Sequence, residues 1–374
     1  MKIILIHNNY QYYGGEETYF HSLVKLLKEH GHKVRVYTKD SKAVTTHFDK
    51  IWTAFGLFWN FKTSRELDAR VKEFKPNVAH FNNIYPLIGA TAYWVCKKNN
   101  IPIVQSIHNY RFVCPKGILF RKGKVCELCV SKNFPFWAVV FSCYHRSRIA
   151  SLFFSLAFWF HKKMGSFNLI DQWIFPSEFT KQYYINFLKL NRHKTVFLPY
   201  YVEQKIHKKV NTKEDFYLFV GRLSEEKGII ELLDFFKVRP QISLFVAGTG
   251  PLHQKVSVYN QFPNIKLLKF LPRSKISEYL KKSRGLILSS KWYEVLPYVL
   301  LESAAQKTPI YALRNKNMDE LAKKLPITLI NSLEEIESIK LKDKTSFNIP
   351  HVFTKEYQAL KLSEVYKKAF HIEE

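Results

Sequence analysis

Short apolar runs that alternate with helical patterns, and that start again after a charged stretch, constrain the fold of this chain more than any other feature. The run 2–7 leads to Gly14-Gly15, a helical pattern over 16–30 and another run at 33–37. The same order restarts at 216–220, after the polar stretch 201–215. Strands and helices in alternation form parallel sheets with helices on both faces. The sequence therefore predicts an α/β chain with two doubly wound, Rossmann-like parallel-sheet domains.

The length of 374 residues suits two such domains of similar size. Because 201–215 has the composition of a linker, we expect one domain over 1–203, a second over 204–353 and a final segment over 354–374. Further apolar runs predict strands at 78–81, 102–107, 173–175, 243–247, 266–270, 286–288 and 310–313.

The chain is strongly basic, with 58 Lys and Arg against 31 Asp and Glu and a formal net charge of +27. Such a surface attracts a polyanion or an anionic membrane, and the charge alone does not distinguish the two. The apolar run 2–6 is followed at once by polar residues and does not predict a signal peptide. The longest apolar run, 149–160, is too short to span a bilayer. We therefore expect a cytoplasmic protein that is peripheral on the inner face of the membrane.

Four of the five cysteines fall within thirty residues, in a region that we expect to be an insertion over about 112–164. They are Cys114, Cys126, Cys129 and Cys143. In a reducing compartment this spacing favours a structural zinc site with four thiolate ligands. The alternative is four reduced thiols or a redox pair.

Aromatic and basic residues mix over 134–164, where Phe or Trp recurs and Arg146, Arg148, Lys162 and Lys163 supply charge. This composition is typical of a segment in a membrane interface, with basic side chains on anionic head groups. A buried helix pair in the core explains it equally well.

Two glutamates, Glu294 and Glu302, flank the predicted passage from the strand 286–288 into a helix. Pro297 suits the first helical position, and the free amides around Tyr298 and Val299 would form an anion site. Leu296, Pro297 and Tyr298 are therefore candidate ligand-binding residues. Such a site offers carboxylates for hydroxyl groups and a helix end for phosphate.

Two cations, Arg222 and Lys227, lie in the turn after the strand 216–220, at the same predicted sheet edge. Together they suit a diphosphate, and Gly248 and Gly250 follow the next strand. In the first half, Gly15 lies at a strand-to-helix turn and His108 just beyond a strand, the edge at which open parallel sheets bind ligands.

The motifs in this order resemble those of the retaining glycosyltransferases of the two-domain GT-B type, family 4. They are Gly14-Gly15-Glu16, His108-Asn109-Tyr110-Arg111, Gly221-Arg222 through Lys227-Gly228, Gly248-Thr249-Gly250 and Glu294-x7-Glu302. The cysteine segment also resembles that of a bacterial polysaccharide subgroup. The resemblance implies two Rossmann-like domains that face each other across a cleft, and a C-terminal helix that crosses back to the first domain.

The resemblance also implies a nucleotide-sugar donor, a UDP- or GDP-sugar, and a glycan or lipid-linked glycan acceptor. Glu302 would bind the ribose, Arg222 and Lys227 the diphosphate, and Glu294 the donor sugar. Gly15 would approach the phosphate, and His108 would lie beside the reacting sugar. Because no Asp-x-Asp motif occurs, we expect Arg222 and Lys227 to replace a catalytic divalent metal.

The chain departs from this family at Val295-Leu296-Pro297 and at Gln306-Lys307-Thr308, where glycines are usual. Two alternatives stay open. The charge of +27 suggests a nucleic-acid-binding basic protein, which the strand-edge loops disfavour, and the missing glycines leave room for a catalytically inactive partner subunit. Nothing in the sequence predicts an oligomeric state.

Overall fold

The computed structural model of the protein describes residues 1–10, 14–203, 214–338 and 347–370. Parts of three predicted segments lie outside these ranges, namely 204–213 of the linker, 11–13 of the loop before the first helix and 371–374 of the final segment. The chain divides into two compact units. One contains Met1–Leu119, Glu127–Pro199 and the chain from Glu356 on, and the other contains Phe120–Cys126 and Tyr200–Lys355.

The first half of the chain supplies the first parallel sheet and its helices. In chain order these elements are β1 (Lys2–Asn9), α1 (Gly15–Glu29), β2 (Lys33–Asp40), α2 (His47–Gly56), α3 (Phe61–Phe74), β3 (Val78–Phe81), α4 (Thr91–Lys98), β4 (Ile103–Ser106), β5 (Phe120–Arg121), β6 (Lys124–Val125), α5 (Phe136–Val140), α6 (Arg148–Lys163), β7 (Gln172–Phe175), α7 (Glu178–Leu188) and β8 (Thr195–Phe197).

The second half supplies the second sheet. Its elements are β9 (Phe216–Val220), α8 (Ile229–Lys237), β10 (Ser243–Ala247), α9 (His253–Ser257), β11 (Ile265–Lys269), α10 (Arg273–Lys282), β12 (Gly285–Leu288), α11 (Tyr298–Ala305), β13 (Ile310–Leu313), α12 (Lys316–Leu321), β14 (Ile327–Ile330), α13 (Glu335–Ser338) and α14 (Lys355–Phe370).

Both large sheets have six strands, and every pairing within them is parallel. The first has the order β2-β1-β3-β4-β7-β8, and the second the order β11-β10-β9-β12-β13-β14. The strand order reverses between β1 and β3 in one sheet and between β9 and β12 in the other. In open α/β sheets, ligands bind beside the carboxyl ends of strands at such reversals. The predicted α/β class with two doubly wound parallel sheets is confirmed.

The strands form because their apolar residues are buried on both sides. Ile3, Ile4, Leu5 and Ile6 of β1 are fully buried, as a central strand of a parallel sheet requires. Helix α1 buries one face, including Phe20, Leu23, Leu26 and Leu27, as its spacing predicts. The second unit has its own core, in which α8 packs on β9 and β10.

The insertion divides between the two units. Its hairpin β5–β6 belongs to the second unit, whereas α5 and α6 belong to the first. Helix α6 buries Phe154 and Ala157 and exposes Ile149 and Trp159, so neither a wholly buried nor a wholly exposed segment describes it. Among the described residues, no helix combines the length and apolar character needed to cross a membrane.

Candidate functional site

The turn after β9 carries an ion pair at the carboxyl edge of the second sheet. Arg222 Nη2 donates to Glu226 Oε1 at 2.6 Å, and Ser224 Oγ donates to the same oxygen at 2.7 Å. Burial alone would raise the pKa of Glu226, but the charge of Arg222 and the Ser224 hydroxyl outweigh it and lower the pKa. The ionised carboxylate therefore orients Arg222, whose side chain stays 47% exposed and open to an anionic ligand.

The second pair joins this turn to the loop after β12. Lys227 Nζ donates to Glu294 Oε1, which also accepts a hydrogen bond from Ser290 Oγ at 2.6 Å. Lys227 Nζ lies 5.4 Å from the centre of the Trp292 ring, a distance typical of a cation–π contact. Because Glu294 is buried, the lysine and the serine fix its carboxylate in one position.

Backbone packing holds these two loops together. Ser289 Oγ donates to the carbonyl of Lys227 at 2.8 Å, and the amide of Lys291 donates to the carbonyl of Glu226 at 2.8 Å. Gly228 lies between them with φ 64°, and an added Cβ would overlap the carbonyl oxygen of Ser289. Only glycine meets both conditions without strain.

Close backbone packing also requires glycine at positions 248 and 250. A Cβ on Gly248 would overlap the carbonyl oxygen of Gly221, and one on Gly250 would lie 2.5 Å from the carbonyl oxygen of Leu223. The amide of Leu223 donates to the carbonyl of Thr249 at 2.9 Å. The two glycines thus let the loops after β9 and β10 touch, and their predicted contact with a ligand stays a prediction.

The third pair joins Arg273, the first residue of α10, to Glu302, the fifth residue of α11. Arg273 Nε donates to Glu302 Oε1 at 2.6 Å, and the Arg273 guanidinium lies 4.6 Å from the centre of the Tyr298 ring. Tyr298 stacks on Tyr200 with ring centroids 5.4 Å apart. The helix begins at Tyr298 and not at Pro297, because Pro297 has the extended ψ of 125°. Leu296 and Tyr298 are buried beside this helix start.

In the first unit, His108 follows β4 and is held by Asn82. Its Nε2 lies 2.9 Å from Asn82 Oδ1, and its ring centroid lies 4.9 Å from that of Tyr19. Burial, and then the nearby His7 and His80, lower the pKa of His108 well below its usual value. The imidazole is therefore neutral at physiological pH and serves as a hydrogen-bonding group, not as a cation.

Gly15 is the first residue of α1, and an added Cβ there would meet no atom of the described residues within 4 Å. Next to it, Glu16 lies in a polar cluster with Tyr10 and Asn109. Asn109 Nδ2 donates to Tyr10 Oη at 2.9 Å and to Glu16 Oε2 at 3.4 Å. Burial, and then the charge of Glu17, raise the pKa of Glu16 to about 8.

The structure thus brings Arg222, Lys227 and Glu294 together, with Gly248 and Gly250 supporting the adjoining loops. Gly15 and His108 lie at the carboxyl edge of the other sheet, in the other unit. Sequence reasoning missed Arg273, Ser290 and Trp292. Ser290 and Trp292 lie four and two positions before Glu294, so their proximity in sequence is a signal that could have identified them. No spacing connects Arg273 to Glu302.

The predicted zinc site with Cys114, Cys126, Cys129 and Cys143 finds no support. In the described ranges, no group of three or more His, Cys, Asp or Glu side chains is close enough to hold a metal ion. The four thiols are carried by different local structures, since Cys114 and Cys129 lie in separate turns, Cys126 follows the hairpin β5–β6 and Cys143 follows α5.

A chain with these features can bind a phosphorylated ligand at the second sheet. Its cations are oriented by carboxylates, and the start of α11 adds amides that have no acceptor within the helix. Carboxylates that are buried or partly buried beside these cations can accept hydrogen bonds from ligand hydroxyl groups.

Solved structures share this fold at low sequence identity. Sucrose-phosphate synthase from Thermosynechococcus elongatus aligns with a TM-score of 0.69 and 15% identity, over 99% of each chain. HepE from Anabaena, solved with UDP-glucose, aligns with a TM-score of 0.58 and 14% identity, over 100% of this chain and 94% of that one. Likenesses of this size show a GT-B fold.

A curated relative from Klebsiella pneumoniae is 23% identical over 403 aligned positions, which cover 98% of this chain and all of the relative. It is described as an uncharacterised 42.6 kDa protein in the cps region. Two family models match consecutive parts of the chain, namely Glycosyltransferase Family 4 over residues 13–203 and Glycosyl transferases group 1 over residues 202–355. With both halves matched in order, the chain belongs to the glycosyltransferases of family 4 and group 1.

Proposed function

We propose that this glycosyltransferase moves a sugar from a nucleotide-diphosphate sugar to a glycan or lipid-linked glycan acceptor in cell-surface polysaccharide synthesis, with retention of anomeric configuration. The observation that carries the proposal is the set of three ion pairs, Arg222–Glu226, Lys227–Glu294 and Arg273–Glu302, at the carboxyl edge of the second sheet.

In this proposal the diphosphate of the donor lies against Arg222 and Lys227. As the glycosidic bond breaks, the leaving diphosphate gains negative charge, which the two cations and the start of α11 stabilise. Glu226 and Glu294 hold the cations in place before the donor arrives. This preorganisation lowers the cost of arranging charges during the reaction. Leu296, Pro297 and Tyr298 form the backbone beside that phosphate.

Glu294 and Glu302 are proposed to bind hydroxyl groups, Glu294 on the donor sugar and Glu302 on the ribose. Each carboxylate accepts the hydrogen bond from its cation at Oε1. The second oxygen, Oε2, therefore offers acceptor capacity for a ligand hydroxyl group. By the family resemblance, the neutral His108 and Gly15 are proposed as further donor contacts. We name no protein nucleophile for the retaining step.

We infer that no divalent metal takes part in the transfer. The support is chemical, because Arg222 and Lys227 supply two positive charges for the diphosphate and the chain has no Asp-x-Asp motif. Full activity in excess EDTA is the expected result. Activity that appears only with added magnesium would contradict it.

The acceptor class and the location rest on relatives and on charge. The Klebsiella pneumoniae relative lies in a cps region, and WaaB, a lipopolysaccharide outer core galactosyltransferase, shares the fold with a TM-score of 0.52. The net charge of +27 favours an anionic membrane surface. We therefore propose a peripheral position on the inner face of the membrane.

The first experiment is a thermal-shift screen of UDP- and GDP-sugars, followed by a transfer assay with the donor that stabilises the protein. A ligand that binds only the folded chain raises its melting temperature. Donor stabilisation and transfer are expected for one nucleotide-sugar class. Salt-sensitive DNA binding without any donor response would favour the nucleic-acid alternative instead.

The matched variants are Glu302→Ala and Glu278→Ala. Glu302 is expected to contact the ribose, so its loss should weaken donor affinity about tenfold or more, since a binding partner group is left unpaired. Glu278 is an exposed acid on α10 that pairs with Lys275 and Lys282, and its loss should leave donor affinity unchanged. Equal effects of the two variants would contradict the assignment of Glu302.

A further inference from the structure

Helix α2 turns its apolar side chains to solvent. Phe48, Ile51, Trp52 and Phe55 recur at helical spacing, and their exposed fractions are 76%, 52%, 74% and 57%. None of the ten residues of α2 is buried. A surface helix ordinarily packs its apolar stripe on the core and leaves its polar face in water. Because α2 instead exposes its apolar stripe, this stripe is suited to contact something outside this unit's core.

Helix α6 continues this apolar surface. Phe153 of α6 makes edge contacts with Phe55 and Phe58, at centroid distances of 5.7 and 6.4 Å. His161 Nε2 lies 3.0 Å from the carbonyl oxygen of Leu57, so α6 also fixes the end of α2. The exposed apolar side chains of α6 are Ile149, Leu152, Leu156 and Trp159. At 100° per residue this stripe borders the side of α6 that faces α2.

Helix α5 adds a third exposed apolar element. It packs against α6, and its exposed side chains are Phe136, Trp137 and Val140, with Phe141 directly after it. Trp137 stacks on Phe141 with ring centroids 5.8 Å apart. Contiguous exposed apolar patches of this kind mark interaction or membrane sites in soluble proteins.

The charges around the three helices favour an anionic partner. Arg146 in the α5–α6 turn and Arg148 at the start of α6 are exposed, and Lys50 on α2 lies near enough to this turn that its charge acts on His145. Residues 134–164 contain no Asp or Glu. Asp49, the acid on α2, is occupied by the capping of that helix through Thr45 and Thr46. The apolar surface is therefore bordered by positive charge.

Three tryptophans, Trp52, Trp137 and Trp159, are among the exposed side chains. Tryptophan is enriched where an apolar body meets a polar boundary, at the level of lipid head groups. Helices with Lys or Arg beside Trp, Phe and Leu lie in the plane of an anionic membrane interface. A protein partner would need a large apolar face ringed by acids, whereas an anionic bilayer supplies both features at once.

We propose that α2, α5 and α6 form a membrane-docking surface, which inserts its exposed aromatic side chains among the head groups of an anionic bilayer while its Lys and Arg side chains contact lipid phosphates. The surface includes α2, which lies outside the segment 134–164 that the sequence singled out. The proposal deepens the function proposed above, since it names the surface that would bring the enzyme to a lipid-linked acceptor.

The test is co-sedimentation of the full chain with vesicles, in the absence of any nucleotide-sugar. Vesicles of phosphatidylcholine with phosphatidylglycerol are compared with pure phosphatidylcholine. We expect binding to the anionic vesicles that is at least about tenfold stronger, and that weakens with salt as head-group contacts are screened. Failure of the wild-type chain to bind anionic vesicles would overturn the proposal.

The variant Phe48→Ser with Trp52→Ser should lower vesicle binding by about tenfold or more, because two inserted side chains are lost. Its matched control is Val238→Ser with Leu360→Ser, which removes two exposed apolar side chains elsewhere and should change binding less than about twofold. Arg146→Ala with Arg148→Ala should remove most of the preference for anionic lipid. Wild-type binding by the Phe48/Trp52 variant would overturn the proposal, as would equal losses in the control.

Two further outcomes separate this proposal from its rivals. If light scattering shows a dimer that the Phe48/Trp52 variant loses, with no vesicle binding, a second copy of the chain covers the surface and the proposal is wrong. A chain that binds vesicles but neither binds nor transfers a nucleotide-sugar leaves the membrane-docking surface intact and refutes only the proposed transfer. Thermal unfolding of each variant in solution checks that it is folded.

Discussion

Gly15 and Gly228 each lie at the start of a helix beside a sheet edge, but their steric surroundings are opposite. In the described part of the chain, a Cβ on Gly15 meets nothing within 4 Å, whereas one on Gly228 overlaps Ser289, and Gly228 also has positive φ. We expect Gly228→Ala to destabilise the protein by about 1–3 kcal/mol, and Gly15→Ala to leave the melting temperature almost unchanged.

The proposed close approach of Gly15 to the donor predicts that a side chain at this position weakens donor binding. Gly15→Ala should reduce stabilisation by the nucleotide-sugar, because the added methyl group would occupy the space of the ligand and not of the protein. Thermal shift with and without donor measures both effects in one experiment. Donor stabilisation equal to that of the wild type would show that Gly15 does not approach the ligand.

Glu16 makes stability depend on pH. Its pKa is raised to about 8 in the folded chain, against an ordinary value of 4.5, so between these pH values the folded chain keeps a proton that the unfolded chain releases. The stabilising contribution is therefore complete below pH 4.5 and is lost as pH rises to about 8. The variant Glu16→Gln cannot ionise at this position. Its melting temperature minus that of the wild type should therefore be larger at pH 8.5 than at pH 5, by about 3 °C or more.

The control for this pH effect is Glu356→Gln, since Glu356 is exposed at the start of α14. Its melting temperature should follow that of the wild type at both pH values. If Glu16→Gln also follows the wild type, the carboxyl group of Glu16 is not held in its neutral form.

Among the elements, α14 is fixed to the first unit by polar contacts as well as by apolar packing. Tyr366 Oη lies 2.7 Å from His80 Nδ1, and Gln358 Nε2 donates to Tyr19 Oη at 3.1 Å. Burial lowers the pKa of His80 to about 3, so its ring is neutral and Ser106 contacts its other nitrogen at 2.8 Å.

Tyr366→Phe should therefore destabilise the protein by about 1–3 kcal/mol, because a buried imidazole nitrogen loses its partner. Leu360→Ala, on an exposed position of the same helix, should change stability by less than about 0.5 kcal/mol. Chemical denaturation of the two variants gives the comparison. A neutral effect of Tyr366→Phe would mean that another group satisfies His80.

The same scale shows what the sequence could and could not predict. Apolar runs predicted β1, β9 and β12 and the parallel sheets, since burial on both faces demands such runs. Periodicity does not indicate whether an apolar stripe faces the core or solvent. The sequence therefore does not single out α2, and it leaves α6 open between a membrane-interface segment and a buried helix.

Contacts between distant residues were the second gap. The pair Arg273–Glu302 joins side chains 29 positions apart through the packing of α10 and α11, which no local spacing reports. The four clustered cysteines are the opposite case. Their spacing predicts a zinc site, but the described residues bring no three potential ligands together, and the chain between the cysteines forms separate turns, a hairpin and a helix.

At the scale of the whole molecule, each unit has its own sheet and its own buried core, which is the condition for cooperative unfolding of each unit. The residues proposed to bind the diphosphate and ribose, Arg222, Lys227 and Glu302, belong to the second unit. Differential scanning calorimetry should therefore resolve two transitions, of which the nucleotide-sugar mainly raises that of the second unit.

Two variants assign the transitions. Gly228→Ala perturbs the second unit and should lower the transition that the donor raises, whereas Tyr366→Phe perturbs the first unit and should lower the other. Because Gly228 belongs to the second unit and Tyr366 to the first, their effects should add in the double variant. A single transition that both variants shift equally would show that the two units unfold together. If the donor instead stabilises the transition that Tyr366→Phe lowers, the main donor contacts lie in the first unit.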